Sequence, residues 1–227
     1  MSPSEWDIVR LSLVVAVTAT GVLLPLAILI AWLLARCRFP GRALLDLVVH
    51  LPLVLPPVVT GWLLLILLGR HSWLGSWLES WCGIRIPFTW LGAVVAAAVM
   101  ALPLLVRPVR LALELADPGL EQAARNLGAT PWRAWWTITL PLALPGILAG
   151  TALAFARCLG EFGATMTLAG NIPGETRTLP VAIWSLTQSV DGEPALWRLV
   201  GISLAISVLA LVAAEWLARR WHAGRRP

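Results

Sequence analysis

Five stretches of this sequence are long and apolar enough to cross a bilayer, and that settles the class of fold before any motif is read. A hydrocarbon layer of about 30 Å takes about 20 apolar residues of helix. The stretches Leu11–Ala35, Leu47–Leu68, Phe88–Val106, Leu142–Leu159 (with room for extension) and Leu199–Ala218 meet that length. Lipid offers no partner to a free backbone N–H or C=O, so each run is expected to be a helix that satisfies its own backbone. A hydrophobic content of 59% with only 13% charged residues agrees, placing the chain outside the soluble globular range. The expectation is an all-α integral membrane protein, a single domain over 1–227 with its core at about 10–218. The apolar segment Leu179–Val190 is too short to cross and reads as a surface or re-entrant helix. The first run, with Arg10 before it and Arg36 and Arg38 after it, is too long for a signal-peptide core and lacks a convincing cleavage site. It reads as a retained span.

Five spans place the termini on opposite sides, and charge decides which. With the N-terminus outside, the inner segments carry Arg36, Arg38, Arg42, Arg107, Arg110, Arg125, Arg133, Arg219, Arg220, Arg225 and Arg226. The outer segments carry only Arg10, Arg70, Arg85, Arg177 and Arg198. That bias follows the positive-inside rule, and the flipped arrangement reverses it. The C-terminus is thus expected in the cytoplasm, with the Arg-rich tail 219–227 as a topology anchor. Fourteen Trp residues are present. Trp73, Trp77, Trp81 and Trp90 flank the first outer loop, and Trp132, Trp135 and Trp136 the inner face, where indoles suit the headgroup level.

Several function classes drop out. Every basic side chain is Arg, and no Lys is present, so the chain lacks the Lys that a P-loop places on the terminal phosphates. If ATP drives this protein, another subunit binds it. The net charge of +5 is not gathered into a run that suits nucleic acid. Cys37, Cys82 and Cys158 fall in different segments without metal-ligand spacing. His50 beside Asp46 is a lone imidazole with no second ligand. No nucleophile–base pair or paired-carboxylate site stands out, so no catalytic residue is assigned and a membrane enzyme is disfavoured.

The apolar runs carry their own punctuation. Pro52, Pro56 and Pro57 lie in the second and Pro103 and Pro108 at the third, each removing a backbone donor and kinking a helix. Gly146, Gly150, Ala154 and Cys158 recur every fourth residue in the fourth, a ridge of small side chains on which another helix can approach closely. Whether that ridge packs within one subunit or across a dimer is open from sequence.

Between the third and fourth spans lies a polar insert, about 115–141, on the side that charge assigns to the cytoplasm. Asp117 is a good N-cap, Pro118 suits the first helical position and Gly128 suits a helix stop. A second start follows at Thr130-Pro131, so two short helices joined by a tight turn are expected. Ala123 and Ala124 leave little bulk on the first, open to a partner's close approach.

The residues Gln122-Ala123-Ala124, then Gly128, then Ile138-Thr139-Leu140-Pro141 resemble the cytoplasmic motif of permeases of binding-protein-dependent ABC importers. That motif is Glu-Ala-Ala, three residues, Gly, nine residues, Ile-x-Leu-Pro, and the full spacing is kept here. The departure is Gln122 in place of Glu, with Glu121 just before it. Two further strings look like the molybdate branch of that family. They are Phe39–Asp46 running into His50–Pro57, and Arg157–Thr165 followed by Asn171–Pro180; sulfate permeases carry strings similar to the second. The resemblance implies a type I importer permease fold working as a homodimer, translocating molybdate by alternating access across the inner (cytoplasmic) membrane. It implies that two ATPase subunits, holding ATP and Mg, dock at Glu121, Gln122, Ala123, Ala124, Gly128, Ile138, Leu140 and Pro141, and that an oxyanion-binding protein docks outside. No cofactor is expected on this chain itself. A sulfate, thiosulfate or tungstate permease is the alternative within the class, and an ion-gradient transporter the alternative outside it, which leaves the insert unexplained.

Arg157 and Glu161 lie four apart, close enough to pair on one helix. Ionisable groups at membrane depth face a cavity or a partner. Either Arg157 faces the pathway and offsets part of a dianion's charge, or the two form a structural ion pair near the outer end of the span.

Overall fold

The computed structural model describes residues 3–189 and 192–223. Val190, Arg225 and Arg226 therefore lie outside the described residues. Among the described residues, four helical runs are each long and apolar enough to cross a membrane: α1 (Pro3–Arg36), α5 (Trp90–Leu115), the run Pro131–Leu159, and α11 (Glu193–Ala223), whose qualifying part is Glu193–Ala210. "Inner" below denotes the end that the arginine bias assigns to the cytoplasm.

The core forms where α1, α5 and α8 (Leu140–Leu159) meet, and small residues are the reason they meet closely. Ala16, Ala19, Ala27 and Ala31 of α1 and Ala93, Ala97 and Ala101 of α5 are all buried in one cluster. Without a hydrophobic driving force between helices in lipid, such backbone proximity and packing hold a bundle together. The ridge of the fourth span lies against α5 of the same subunit. A side chain at Gly150 would come within 3.0 Å of the Leu105 carbonyl oxygen, and one at Gly146 within 2.7 Å of that of Pro108. Further along, Cys158 Sγ donates to the Ala97 carbonyl at 3.6 Å.

The second span is not one helix. It is split into α2 (Arg42–Val54) and α3 (Pro57–Leu68). Leu55 and Pro56 are extended between them, at φ −71° and −55° with ψ 143° and 134°. A residue before proline is pushed out of the helical region, and two successive prolines supply no N–H to continue the ladder. The broken path still runs from end to end of the bundle. Asp46 of α2 meets Arg110 near the inner end of α5, and the close of α3 shares a cavity wall with Phe88, just before the outer end of α5.

Outside, α4 (Trp73–Cys82) follows α3 at a bend of 58°. It exposes Trp73, Trp77 and Trp81, while Glu79 receives hydrogen bonds from Arg70 at 3.1 Å and Arg85 at 2.7 Å. Desolvation pushes the Glu79 carboxyl up, but the hydrogen bonds and charges of the two guanidiniums outweigh it and hold it below the usual carboxylate range.

The short apolar segment is α10 (Leu179–Thr187), and it does not cross. It starts within the bundle, where the Leu179 N–H donates to Ser12 Oγ of α1 at 2.7 Å. Before it, α9 (Gly163–Leu168) packs on α3 with Gly61 and Gly163 at the contact: a side chain at Gly61 would come within 2.7 Å of the Ala164 carbonyl oxygen. The loop between α9 and α10 is tied down by Asn171, which accepts from Arg177 at 2.6 Å and donates to Ser185 at 2.7 Å.

Candidate coupling surface

The polar insert forms α6 (Pro118–Asn126), capped at both ends by its own sequence. Asp117 accepts the Gly119 N–H at 2.8 Å, with Pro118 in the first turn. At the other end Gly128 takes φ +91°, its N–H donates to the Arg125 carbonyl and the Ala129 N–H to that of Ala124, both at 3.0 Å. That pair of bonds closes the helix in a Schellman motif, for which glycine is the least strained residue.

No residue of α6 is buried. Gln122 and Ala123 are exposed, and Glu121 and Ala124 are half-buried. Just past the helix, Leu127 is 90% exposed. Sequence reasoning passed over Leu127; the available signal was a large apolar residue directly before the helix-stopping Gly128, outside the apolar spans.

Two contacts anchor this exposed helix. Thr139 Oγ1 donates to Glu121 Oε2 at 3.1 Å. On the other side, Arg36 at the inner end of α1 donates to the Ala116 carbonyl at 2.9 Å, holding the residue just before the Asp117 cap. The second short helix differs from expectation. It starts where the sequence indicates, with Thr130 accepting the Arg133 N–H at 3.2 Å, but α7 (Pro131–Ala134) runs on through a π turn (Trp135–Thr139) into α8. The physical reason is that Pro141 sits in the first turn of α8, where a missing N–H is taken up by the wider π turn before it. Ile138, Leu140 and Pro141 therefore stand at the base of a long helix rather than on the exposed one, and Leu140 packs against the core.

At the far end of α8, Glu161 is 2% exposed. Its Oε1 accepts the Ala164 N–H at 2.8 Å. Arg157 Nη2 lies at ion-pair distance from Oε2 but off the hydrogen-bonding direction, so charge rather than a directed bond holds them. The structure brings Arg157 to Glu161 and places both far from α6.

The site is thus a capped, uncovered helix on one face of a bundle of apolar helices. The chain belongs to the family of binding-protein-dependent transport system inner membrane components, whose model matches residues 24–223. It is 58% identical over 227 residues to the molybdenum transport system permease protein ModB of Escherichia coli K12, covering 99% of each. It is 52% identical over 216 residues to ModB of Haemophilus influenzae, covering 95% of this chain and 94% of that one. The sulfate transport system permease protein CysT of Escherichia coli K12 is 40% identical over 223 residues, with 98% and 78% covered. Among solved structures, a bacterial ABC transporter that imports the acidic polysaccharide alginate matches at TM-score 0.77 and 18% identity, covering 97% of this chain and 80% of that one. The MetNI methionine ABC transporter matches at 0.66 and 19%, covering 97% and 99%. These last two speak to the fold alone, a type I importer permease.

Proposed function

We propose that this chain is the membrane subunit of an ATP-driven molybdate importer, working as a homodimer in the inner membrane. The observation that carries the reading is the 58% identity to a molybdenum permease across 99% of both chains, against 40% to a sulfate permease. An oxyanion-loaded binding protein docks at the outer face, and two ATPase subunits holding ATP and Mg dock at the inner face. Glu121, Gln122, Ala123, Ala124 and Gly128 form the docked helix, Leu127 supplies its apolar anchor, and Ile138, Leu140 and Pro141 join that helix to α8. Closure of the ATPases on ATP moves α6, and α8 carries the movement into the bundle, so that the partners supply the differential affinity that drives alternating access. Arg157 and Glu161 serve to fix the α8–α9 turn, where the buried Glu161 carboxylate takes both the Ala164 N–H and the charge of Arg157.

The test is uptake of labelled molybdate into proteoliposomes holding this chain with its cognate ATPase and binding protein. ATP-dependent uptake that resists excess sulfate is expected. Sulfate uptake in its place would change the substrate and keep the fold, whereas uptake without the ATPase would remove the mechanism.

A further inference from the structure

The third span was expected to end at Val106, which would put Arg107 and Arg110 in the inner segment. They lie instead within α5, which continues to Leu115. Counting about 20 residues from Trp90 puts the inner edge of the hydrocarbon near Arg110. The two arginines are one turn apart and treated differently by their neighbours. Arg110 donates to Asp46 of α2 at 2.9 Å and to Glu114 at 2.8 Å. Arg107 is exposed and, among the described residues, has no hydrogen bond or ion pair.

Both line a cavity of about 650 Å³ between α2 and α5, together with Asp46, His50, Leu111 and Glu114. The His50 Nδ1 stands 2.8 Å from the Asp46 carbonyl oxygen. A carbonyl can only accept, so Nδ1 carries the proton and Nε2 is the nitrogen left over. The Asp46 and Glu114 side chains are 41% and 39% exposed. Carboxylates at this depth belong to water-filled cavities rather than to lipid-facing walls. The carboxylates of Asp46 and Glu114 match the guanidiniums of Arg107 and Arg110 in number. The cavity has a free cationic end at Arg107 and an acidic end occupied by Arg110.

We propose that this cavity is a weak oxyanion site at the inner mouth of the pathway, with Arg107 as the contact for the departing anion. The proposal rests on the transport reading above. A balanced site with one free guanidinium suits an exit, because a pathway must bind its passenger loosely enough to release it. A net-anionic lipid headgroup shares the chemistry, and vesicles with and without such a lipid separate the two sources.

The experiment uses the complete transporter in proteoliposomes, with labelled molybdate uptake and ATP hydrolysis read together. R107Q is expected to lower uptake about tenfold, the scale of one charged hydrogen bond, while loaded binding protein still stimulates ATP hydrolysis. R107K is expected to keep part of the uptake as a point charge. A defect present with phosphatidylglycerol and absent in pure phosphatidylcholine would assign Arg107 to a lipid headgroup and overturn the proposal. As a measurement free of any Arg107 variant, L111C, in a background lacking Cys37, Cys82 and Cys158, is expected to react with a charged, membrane-impermeant thiol reagent. No reaction would mean a dry cavity and overturn it as well. Full uptake by R107Q beside an active wild type overturns this site alone; an inactive wild type overturns the transport reading and the site with it.

Discussion

Thr139 donates its hydroxyl to Glu121 at 3.1 Å, joining the exposed helix α6 to the base of α8 across 18 residues of chain. Thr139 is 2% exposed, so the bond is made on the bundle side of the insert rather than on its free face. The neighbour of this acid, Gln122, stands where the family motif carries Glu. Glu121 and Gln122 thus face different tasks: one fastens the helix to the bundle and the other is left to a partner.

Removing the hydroxyl should loosen transmission without dissolving the helix. Thr139→Val keeps the shape and loses one hydrogen bond, a cost of about 0.5–1.5 kcal/mol. The expected result is a complex that assembles and hydrolyses ATP while importing less molybdate per ATP. Glu121→Gln keeps an acceptor and should stay near wild type. An unchanged ratio in Thr139→Val would show that α6 moves α8 by another contact.

Gly128 separates conformation from docking. An added Cβ there meets nothing within 4 Å in the isolated chain, so Gly128→Ala carries only the left-handed penalty, about 1–2 kcal/mol. Uptake should fall modestly. Gly128→Glu adds bulk and charge at the surface proposed to meet the ATPase, and should abolish uptake and coupled ATP hydrolysis with normal membrane insertion. Co-purification of the ATPase with each variant checks the difference; equal recovery and equal uptake would sink the docking assignment.

Much of this was legible because it is local chemistry. Asp117, Pro118, Gly128 and Thr130 each act within a few residues of themselves, so the caps and turn of the insert are written into the sequence. Apolar length likewise marks the spans, although Pro56 and Pro57 divide the second more completely than a kink. What the sequence withheld was tertiary. The fourfold spacing of Gly146 to Cys158 announces a close helix contact, but its partner is α5 of the same subunit, as far as 61 residues away at Cys158. The same holds for Thr139 and Glu121, and for Arg107, which looked like part of a polar loop until α5 was seen to continue past it.

The ridge makes its own prediction. With backbone oxygens of α5 that near Gly146 and Gly150, Gly150→Leu must push α8 away from α5. Overpacking of this kind costs about 1–3 kcal/mol, and occasionally more. A lower melting temperature of the detergent-solubilised permease is expected, with a smaller effect from Gly201→Leu, where the space is open. Equal effects at the two positions would mean that the α5–α8 contact does not limit stability.

Arg157 and Glu161 can be assigned by a pair of variants rather than one. In Arg157→Gln the Glu161 carboxylate stays buried without its counter-charge, and breaking a buried pair from one side costs about 3–5 kcal/mol. Folded yield should drop sharply, and lost uptake in that variant alone would say nothing about the pathway. The double variant Arg157→Gln with Glu161→Gln removes both charges, and the new amide oxygen can still accept the Ala164 N–H. It should recover most of the folded yield. If the pair is structural, uptake per folded transporter returns with it. If Arg157 instead meets the passing anion, the double variant folds, hydrolyses ATP in response to loaded binding protein, and still fails to import.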